Sequence, residues 1–457
     1  MDNQKKYIVI AGATGFVGRH LIESLLQNTD YNIVGLTRTK KESTHPRLIF
    51  VQCDLFSLLE VEKVLEGSTA AYYLVHSMLP SANLDQGHFY DYDLLLADNF
   101  ARACKKNKIE QVIYLGGIIP HVEKLSWHLK SRLEVENVFI KTGINFTALR
   151  AGLIIGVEGS SFQIMDKLIG RLPVLVCPQW TQNKMSPIDI TDITKILVEC
   201  LLHPVHYAKI YDVSGPSRYT YLQMMKIMAK RRKLLRLFIL VPVNFVGFSK
   251  LWVRLVTQSS KELVYPLLDS LKHSMETDFE KQFPYDGELK SFEQSISVES
   301  LPVKRTSKPF FFRRKNPHVR SIQRLILPQG MNAMDVAHDY MSWLPTFFSP
   351  IFFVKVLDDN VVFSIFSPKL ELLHLKYSES RSTKDRALFY VVGGLLARMN
   401  PKGRLEFRET LDKKFIITAI HDFEPYLPWP IYRMTQALVH LWVMHSFGKH
   451  LKKVNYK

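Results

Sequence analysis

A glycine-rich loop near the N-terminus carries the clearest chemistry in the sequence. The apolar run YIVIA leads directly into Gly12-x-x-Gly15-x-x-Gly18, and an amphipathic helical pattern follows. Gly12 permits a tight turn, Gly15 lets the backbone approach a pyrophosphate, and Gly18 lets the helix pack closely on the strand. Backbone N–H groups at the start of the helix then face the phosphates. Between a strand and a helix, this spacing predicts a dinucleotide-binding loop.

The residues after the second predicted strand indicate which dinucleotide binds. An NAD site normally has an acidic residue here for the ribose hydroxyls. The segment Thr37–Lys41 instead contains Arg38 and two lysines, and the first carboxylate is that of Glu42. Because a guanidinium pairs well with a 2′-phosphate, we expect NADP(H) to be favoured over NAD(H). The alternative is that Arg38 stacks on the adenine or faces water.

The elements that must position this loop follow from the hydrophobic pattern of the first 215 residues. Short apolar runs alternate there with apolar residues at helical spacing, which predicts a parallel sheet covered on both faces by helices. Residues 216 to about 290 have a helical pattern and would form the substrate side. The predicted strands are Tyr7–Ala11, Ile33–Thr37, Leu48–Gln52, Ala70–Val75, Val112–Leu115, Phe146–Arg150 and Ile210–Val213.

The C-terminal third follows a different pattern. Residues 301–316 form a basic, proline-containing stretch without hydrophobic period, which predicts a linker. A helix at Ala333–Trp343, six short strands with hairpin-sized connections and a long helix from Ile431 to about Leu451 follow. These predict an antiparallel sheet that grips the last helix, because each element needs one apolar face covered. We therefore expect a domain over 1–300 and an α+β domain over 317–457.

Composition narrows the function classes. With 457 residues, 47% hydrophobic and 23% charged, the chain fits two or three globular domains. Its four cysteines form no C-x-x-C pair, so we expect neither a disulfide scaffold nor a metal site. The N-terminus has no signal-peptide pattern, and no uncharged apolar run is long enough to cross a membrane. These features predict a cytoplasmic protein, at most peripheral to the inner face of a membrane.

Several strings resemble the atypical short-chain dehydrogenase/reductases. They are GATGFVG, the Cys53-Asp54-Leu55 step after the third strand, YYLVHSM at the fourth strand and VIYLGG at the fifth. The NmrA-like group and the group with the NADPH-binding accessory subunit of respiratory complex I are the most similar. The resemblance covers residues 1 to about 290. The remainder resembles an uncharacterised domain that bacterial members append, and its element order is similar to the helix-grip, START-like fold.

The resemblance implies a set of cofactor contacts. The glycine loop with its neighbours would hold the pyrophosphate, and two residues after the third strand would contact the adenine. Three residues at the end of the fourth strand would line the adenosine and nicotinamide ribose side. The implied residues are Gly12, Thr14, Gly15, Phe16, Val17, Gly18, Asp54, Leu55, Leu74, Val75 and His76.

The catalytic positions of the family are changed in this sequence. Active members carry a serine after the fifth strand and Tyr-x-x-x-Lys on the next helix. Here Gly116-Gly117 stands at the serine position, His128 replaces the tyrosine and Arg132 replaces the lysine. The i, i+4 spacing puts His128 and Arg132 on one helix face. Arg132 would hold the ribose, and His128 would act as acid or base, or else only fill space or bind substrate.

Three functions remain open, of which one makes the C-terminal domain a lipid carrier on the membrane surface, and the other two concern the N-terminal domain. The first of these two is NADPH-dependent reduction of an apolar carbonyl, enone or quinone-like substrate. The second is a non-catalytic NADP(H)-binding module that senses redox state or assists the assembly of a complex, which the missing serine and tyrosine favour. An apolar small-molecule ligand is expected in the first case, and nicotinamide dinucleotide in both.

The charge distribution adds one further expectation. The formal net charge is +17, and from Leu301 onward there are 25 Lys and Arg against 12 Asp and Glu. Aromatic and basic residues interleave at 310–315 and in a C-terminal set, which indicates peripheral contact with an anionic membrane or a solvated surface. No nucleic-acid-binding motif is present. His421, His440 and His445 are predicted to be structural. The C-terminal set is Phe447, Lys449, His450, Lys452, Lys453 and Tyr456.

Overall fold

The computed structural model describes residues 6–77, 82–242, 246–296 and 316–455. The chain forms two compact units, of which the first contains Met1–Met78 with Asp93–Lys308, and the second contains Leu79–Tyr92 with Pro309–Lys457. The predicted linker at 301–316 lies outside the described residues, apart from Asn316, which begins a strand.

The strands are β1 (Tyr7–Ala11), β2 (Asn32–Thr37), β3 (Leu48–Gln52), β4 (Ala70–Tyr73), β5 (Ala82–Gln86), β6 (Gln111–Gly117), β7 (Phe146–Ala151), β8 (Ile154–Ile155), β9 (Val174–Pro178), β10 (Lys184–Met185), β11 (Ile188–Asp189), β12 (Lys209–Val213), β13 (Tyr219–Thr220), β14 (Leu237–Val241), β15 (Asn316–Ile326), β16 (Phe352–Leu357), β17 (Asn360–Ile365), β18 (Glu371–Tyr377), β19 (Arg386–Gly393), β20 (Arg404–Glu409) and β21 (Phe415–Phe423). The helices are α1 (Phe16–Asn28), α2 (Leu58–Leu65), α3 (Phe89–Lys106), α4 (Trp127–Thr142), α5 (Ser160–Arg171), α6 (Ile190–Glu199), α7 (Tyr221–Arg231), α8 (Val246–Thr257), α9 (Lys261–Ser270), α10 (Phe292–Ser295), α11 (Ala333–Phe347), α12 (Trp429–Met434) and α13 (Gln436–Asn455).

A seven-stranded parallel sheet organises the first unit. Its order is β12-β7-β6-β4-β1-β2-β3, and every neighbouring pair is parallel. The chain order reverses between β1 and β4, which is the switch point where doubly wound sheets bind dinucleotides. The strands are almost continuously apolar because both faces are covered; Ile8, Ile10 and Ile113 are fully buried beneath helix residues such as Leu21. The predicted Rossmann-type sheet is confirmed.

The helical region after residue 216 contains an element that the sequence did not indicate. The helices α7, α8 and α9 occur as the pattern predicted. Between α7 and α8, however, β14 pairs in parallel with β9 and forms a two-stranded ribbon. The inner residues of this ribbon, Leu175 and Cys177, join the apolar cluster that also contains Met165 and Val253.

The second unit is an eight-stranded sheet in the order β16-β17-β18-β19-β20-β21-β15-β5. Neighbours are antiparallel except for β5, which lies parallel to β15. The antiparallel sheet was predicted, but β15 and β5 were not, and β5 lies in a segment that the sequence placed in the first domain. The predicted last helix is divided at Thr435 into α12 and α13.

An aromatic core joins the helices of the second unit to the sheet. The Tyr340 ring on α11 lies 5.0 Å from Phe447 on α13 and 5.6 Å from Phe407 on β20. Phe447 is fully buried, so the expectation that this ring rests on a membrane surface is wrong. The other predicted membrane-contact segment, at 310–315, and Tyr456 lie outside the described residues. None of the helices that the structure describes is long and apolar enough to span a bilayer.

A buried ionic cluster crosses strands β19 to β21. The Glu406 carboxylate accepts a hydrogen bond from Arg386 at 2.7 Å, pairs with Arg408, and lies 3.6 Å from His421 Nε2. Burial lowers the pKa of His421 to about 4, and the nearby Arg404 adds to this effect. The native imidazole therefore stays neutral well below its ordinary pKa near 6.5. This places His421 in a structural role.

The pH dependence of stability follows from His421. Between about pH 6.5 and pH 4 the unfolded chain binds a proton at this residue that the native protein does not, so stability falls as the pH falls. We expect His421 to contribute about 2 kcal/mol to the loss between pH 7 and pH 5. Urea unfolding of His421→Gln should show a shallower pH dependence by that amount. His445→Gln, an exposed histidine in the same unit, should leave the slope unchanged. Equal slopes for wild type and His421→Gln would contradict this assignment.

Candidate functional site

The glycine loop makes two contacts that exclude side chains. Gly12 has φ +93°, and a Cβ there would lie 3.0 Å from the carbonyl carbon of Leu74. A Cβ on Gly18 would collide with the carbonyl oxygen of Gly12. The Gly15 N–H donates to that same oxygen at 2.9 Å and closes the turn. The loop therefore draws α1 tightly against the end of β1, as the spacing predicts.

The N-terminus of α1 has the character of an anion site. Gly15 is the N-cap residue of α1 and has no side chain to cap the helix, so backbone N–H groups at this end can face a phosphate. Within 4 Å, a Cβ on Gly15 would meet only the Gly12 oxygen, at 3.1 Å. The Thr14 carbonyl accepts from Arg19, which pairs with Glu158, and the Phe16 ring packs against Gly156. Val17 is half-buried beside it.

Arg38 lies where the sequence predicted a guanidinium, directly after β2. The residue is exposed, and Gln52 Nε2 donates to its carbonyl at 3.3 Å. The Thr37 hydroxyl donates to the Thr39 carbonyl and thus shapes the turn. The Lys41 ammonium lies 4.2 Å from the centre of the Phe50 ring. Arg38 therefore lies exposed at the carboxyl end of β2, and its predicted contact with a 2′-phosphate stays a prediction.

The predicted adenine contacts, Asp54 and Leu55, lie in a loop after β3 that hydrogen bonds hold in place. Phe56 N–H donates to the Asp54 carboxylate at 3.1 Å, and Asp54 N–H donates to Glu60 at 2.9 Å. Asn99 on α3 donates to the Leu55 carbonyl at 2.8 Å. Since β2 and β3 are parallel neighbours, Asp54, Leu55 and Arg38 all lie at the carboxyl edge of the sheet.

Asp93 anchors the loop after β4, and sequence reasoning missed it. Its carboxylate lies 2.8 Å from His76 Nδ1, accepts the Ser77 N–H at 2.7 Å and the Ser131 hydroxyl at 3.2 Å. Burial alone would raise the pKa of Asp93, but His76, Arg132 and the Ser77 N–H together lower it below the ordinary value. The sequence feature that could have indicated this role is a carboxylate next to the buried apolar residues of α3.

The Arg132 side chain forms hydrogen bonds with the main chain. Its guanidinium donates to the Val75 carbonyl at 3.0 Å and to the Leu115 carbonyl, and it lies 4.8 Å over the Tyr114 ring. Only 7% of the residue is exposed. Arg132 therefore joins the ends of β4 and β6, a role that the sequence did not indicate. Its predicted contact with a ribose stays a prediction.

His128 faces a serine from another helix. Its Nδ1 lies 2.8 Å from the hydroxyl of Ser270 at the end of α9, and that hydroxyl also meets Ser126 at 3.0 Å. The His128 ring centre is 4.9 Å from that of His76. Burial, with His76 and Arg132, lowers the pKa of His128 well below its ordinary value. At neutral pH the imidazole is uncharged and serves as a hydrogen-bonding group.

His128 and Ser270 are polar groups in the wall of a largely apolar cavity. The cavity itself has a volume of about 100 Å³, and the space between its walls reaches about 830 Å³ when the open mouth is included. Four methionines line it, and such side chains adapt to varied ligands. Gly117, at the position of the family serine, also lines it, and a Cβ there would make only ordinary contacts at 3.7 Å or more. Other lining residues include Leu153, Met165, Trp180, Met185, Tyr221, Met225, Val253, Leu268 and Met275.

Comparison with known proteins supports the assignment of the first unit. Residues 8–125 match the NAD dependent epimerase/dehydratase family. Auxiliary protein GraX of Staphylococcus aureus is 27% identical over 113 residues, which are 25% of this chain and 37% of GraX. The 40 kDa subunit of mitochondrial NADH-ubiquinone oxidoreductase of Neurospora crassa is 22% identical, over 64% of this chain and 76% of that subunit.

A second complex I subunit is also similar. Subunit 9 of the 1 alpha subcomplex of mouse mitochondrial NADH dehydrogenase is 22% identical, over 48% of this chain and 59% of the subunit. The chain thus spans less than two thirds of GraX and of the mouse protein. These similarities concern parts of the chain.

Solved structures show the same fold. Triphenylmethane reductase from Citrobacter sp. has a TM-score of 0.52 at 16% identity, over 64% of this chain and 98% of the reductase. That reductase has also been solved with NADP(H). A nucleoside-diphosphate-sugar epimerase from Staphylococcus aureus has a TM-score of 0.50 at 14% identity, over 63% of this chain and 98% of the epimerase.

The sheet order, the glycine loop and these similarities show that the first unit has a Rossmann-type fold, the fold of NAD(P)-binding proteins. The match to the epimerase/dehydratase family itself covers β1 to the end of β6, which is the half of the sheet that carries the glycine loop.

The position of Arg132 predicts a stability effect. Arg132→Lys cannot span both carbonyls, so buried acceptors lose their donors, and we expect a loss of about 2–4 kcal/mol. Urea unfolding would measure it. Lys130→Ala, on the exposed side of the same helix, should change stability by less than about 0.5 kcal/mol. If the Arg132→Lys protein is as stable as the wild type, the hydrogen bonds by which Arg132 joins the ends of β4 and β6 do not contribute to stability.

Proposed function

We propose that the protein is an NADP(H)-dependent reductase of an apolar carbonyl, enone or quinone-like substrate. The observation that carries this proposal is the apolar cavity with His128 and Ser270 in its wall at the carboxyl edge of the sheet. A substrate with a large apolar body and one hydrogen-bonding oxygen fits such a lining. The cavity touches the ends of β6 and β7 through Gly117 and Ala151, on the same edge as the glycine loop after β1.

The residues present fit a dinucleotide. The glycine loop at Gly15 and the N–H groups at the start of α1 would hold the pyrophosphate. Arg38 would meet a 2′-phosphate. The loop of Leu74, Val75 and His76 follows β4, across the switch point from β1, and supports the predicted contact with the ribose side. When bound, the reduced nicotinamide supplies a hydride.

The chain's own residues must then handle a proton at the substrate oxygen. The hydrogen-bonded pair of Ser270 and His128 in the cavity wall can meet such an oxygen, and the hydroxyls of Ser161 and Tyr221 belong to lining residues as well. Because burial keeps the imidazole neutral, the proton would come from solvent through the open mouth, with His128 passing or orienting it. Gly117 leaves room beside them for the substrate.

A second candidate function is non-catalytic NADP(H) binding, as a redox sensor or an assembly subunit. The glycine at position 117 and the commitment of Arg132 to main-chain carbonyls favour it, because both remove parts of the family's proton-transfer set. The similarity to two complex I subunits supports it as well. Tight NADPH binding without turnover of any substrate class would select this function.

Cofactor preference tests the role of Arg38. We expect NADPH to bind more tightly than NADH, and Arg38→Glu to weaken NADPH binding by about 10- to 100-fold with little effect on NADH. Titration by cofactor fluorescence measures both. Lys63→Glu, an exposed change on α2, controls for net charge. Equal affinities of the wild type, or an Arg38→Glu protein that keeps its preference, would remove the 2′-phosphate assignment.

Turnover tests the role of His128. After a screen of quinones, enones and aldehydes for NADPH oxidation, His128→Ala should lower kcat at saturating NADPH by about 10²–10⁴-fold. The wild-type kcat should rise as the pH falls toward 5, because the small imidazolium fraction grows, and His128→Gln should lose this dependence. Ser161→Ala, which removes another hydroxyl that lines the cavity, should leave kcat nearly unchanged. An unchanged rate in His128→Ala would mean that the proton comes from elsewhere.

A further inference from the structure

The outer face of the β9–β14 ribbon is apolar, which is unusual for a two-stranded ribbon. Strands with one solvated face normally alternate apolar and polar residues. Here the inward residues Leu175 and Cys177 are buried, yet the outward residues are apolar too. Val174, Val176, Leu237 and Ile239 are 44%, 48%, 58% and 43% exposed, and Leu235, just before β14, is 95% exposed.

The neighbouring helix extends this face. Leu251 and Leu255 of α8 are i, i+4 neighbours and are 47% and 67% exposed. Arg171, which ends α5 just before β9, donates through its side chain to the Val256 carbonyl near the end of α8. The exposed leucines of α8 therefore lie next to the start of the ribbon. We name this surface the ribbon face; it consists of Val174, Val176, Leu235, Leu237, Ile239, Leu240, Leu251 and Leu255.

The chain segment that carries α7, β14 and α8 has charges of one sign, although Arg232 and Lys250 of this segment pair with Asp166 and Asp269 of neighbouring helices. Between Asp212 and Glu262 the sequence contains ten Lys and Arg and no Asp or Glu. Lys226, Lys230, Arg231 and Lys233 of this segment are exposed at the end of α7, immediately before the ribbon. Arg236, which lies between α7 and β14, donates through Nε to the Ile169 carbonyl of α5 at 2.6 Å. This hydrogen bond holds the connection from α7 to β14 against α5.

From this combination we infer that the ribbon face docks on the surface of an anionic lipid bilayer, with its apolar side chains in the interface and its lysines and arginines on the headgroups. The bilayer is favoured over a second copy of the chain, because two copies meeting here would bring their basic segments together. Exposed apolar side chains flanked by cations bind anionic interfaces through both apolar burial and charge.

The ribbon face also lies over the cavity. Val253 of α8 lines the cavity, while Leu251 and Leu255 of the same helix point outward, and Leu175 packs in the cluster that surrounds the cavity. If the proposed reductase function holds, docking would place the cavity next to lipid-dissolved substrate, which restricts the substrate class to molecules that partition into the bilayer. This extension rests on the proposed function, whereas docking itself does not.

Vesicle sedimentation with the full chain tests the docking. We expect binding to vesicles of phosphatidylcholine with about 30% phosphatidylglycerol, weaker binding in 0.5 M salt, and little binding to phosphatidylcholine alone. The double change Lys230→Gln with Lys233→Gln should reduce partitioning by about thirtyfold. Lys63→Gln with Lys141→Gln, two exposed lysines elsewhere in the same unit, should reduce it far less.

The apolar contribution needs its own pair of variants. Leu235→Ser with Leu237→Ser should reduce partitioning by at least tenfold, whereas Leu59→Ser, half-exposed on α2, should not. No binding to the anionic vesicles, equal binding of both lysine pairs, or a dimer in sedimentation velocity that the Leu235→Ser/Leu237→Ser change dissolves would each overturn the inference. Turnover of a water-soluble quinone, measured without vesicles, keeps the two proposals separable, because docking can fail while turnover persists, and the reverse.

Discussion

The site depends on one buried carboxylate. Asp93 holds His76 and the Ser77 N–H on the loop after β4, and Ser131 on α4. The helix that carries His128 and Arg132 is thereby fixed to the carboxyl edge of the sheet at the switch point. A carboxylate without partners would be very costly at this depth, so the loop and the helix must keep these partners in place. The rest of the site is arranged around that requirement.

The buried surroundings of Arg132 on α4 explain why an arginine suits this position better than the lysine that the resemblance implies. A lysine can lose its proton when buried, whereas the Arg132 guanidinium stays charged and has several donors in a fixed plane. Two of its groups satisfy carbonyls at the ends of β4 and β6, and its charge helps to offset that of Asp93. Arg132 thus holds the main chain together at a position where the resemblance to the short-chain dehydrogenase/reductases implies a lysine that holds the ribose.

The parts of this structure that sequence could predict are those with a local period. The glycine loop and β1 to β3 follow from short-range patterns, and the predicted bounds of β1 and β3 agree with the structure to the residue. The strands β5, β9 and β14 are short runs whose partners are far away in the chain, so nothing local distinguishes them. Asp93 has no motif, because its role arises from contacts with residues as far away as Ser131. The division at Thr435 is not marked by glycine or proline at that residue, and a continuous helix was therefore predicted.

The electrostatics of the cavity limit the chemistry that the site can perform. Asp93 and Arg132 balance each other, and a third charge on His128 would face an apolar wall of methionine and leucine side chains. Burial therefore lowers the pKa of His128, and the Ser270 hydroxyl gives the neutral ring a partner that needs no charge. The tyrosine that the resemblance to the short-chain dehydrogenase/reductases implies at this position would need a nearby cation to stabilise its anion, whereas the Arg132 guanidinium donates to two main-chain carbonyls. Because the Arg132 guanidinium holds the ends of β4 and β6, the cavity wall is best served at position 128 by a side chain that hydrogen-bonds without a charge, as the neutral His128 does with Ser270.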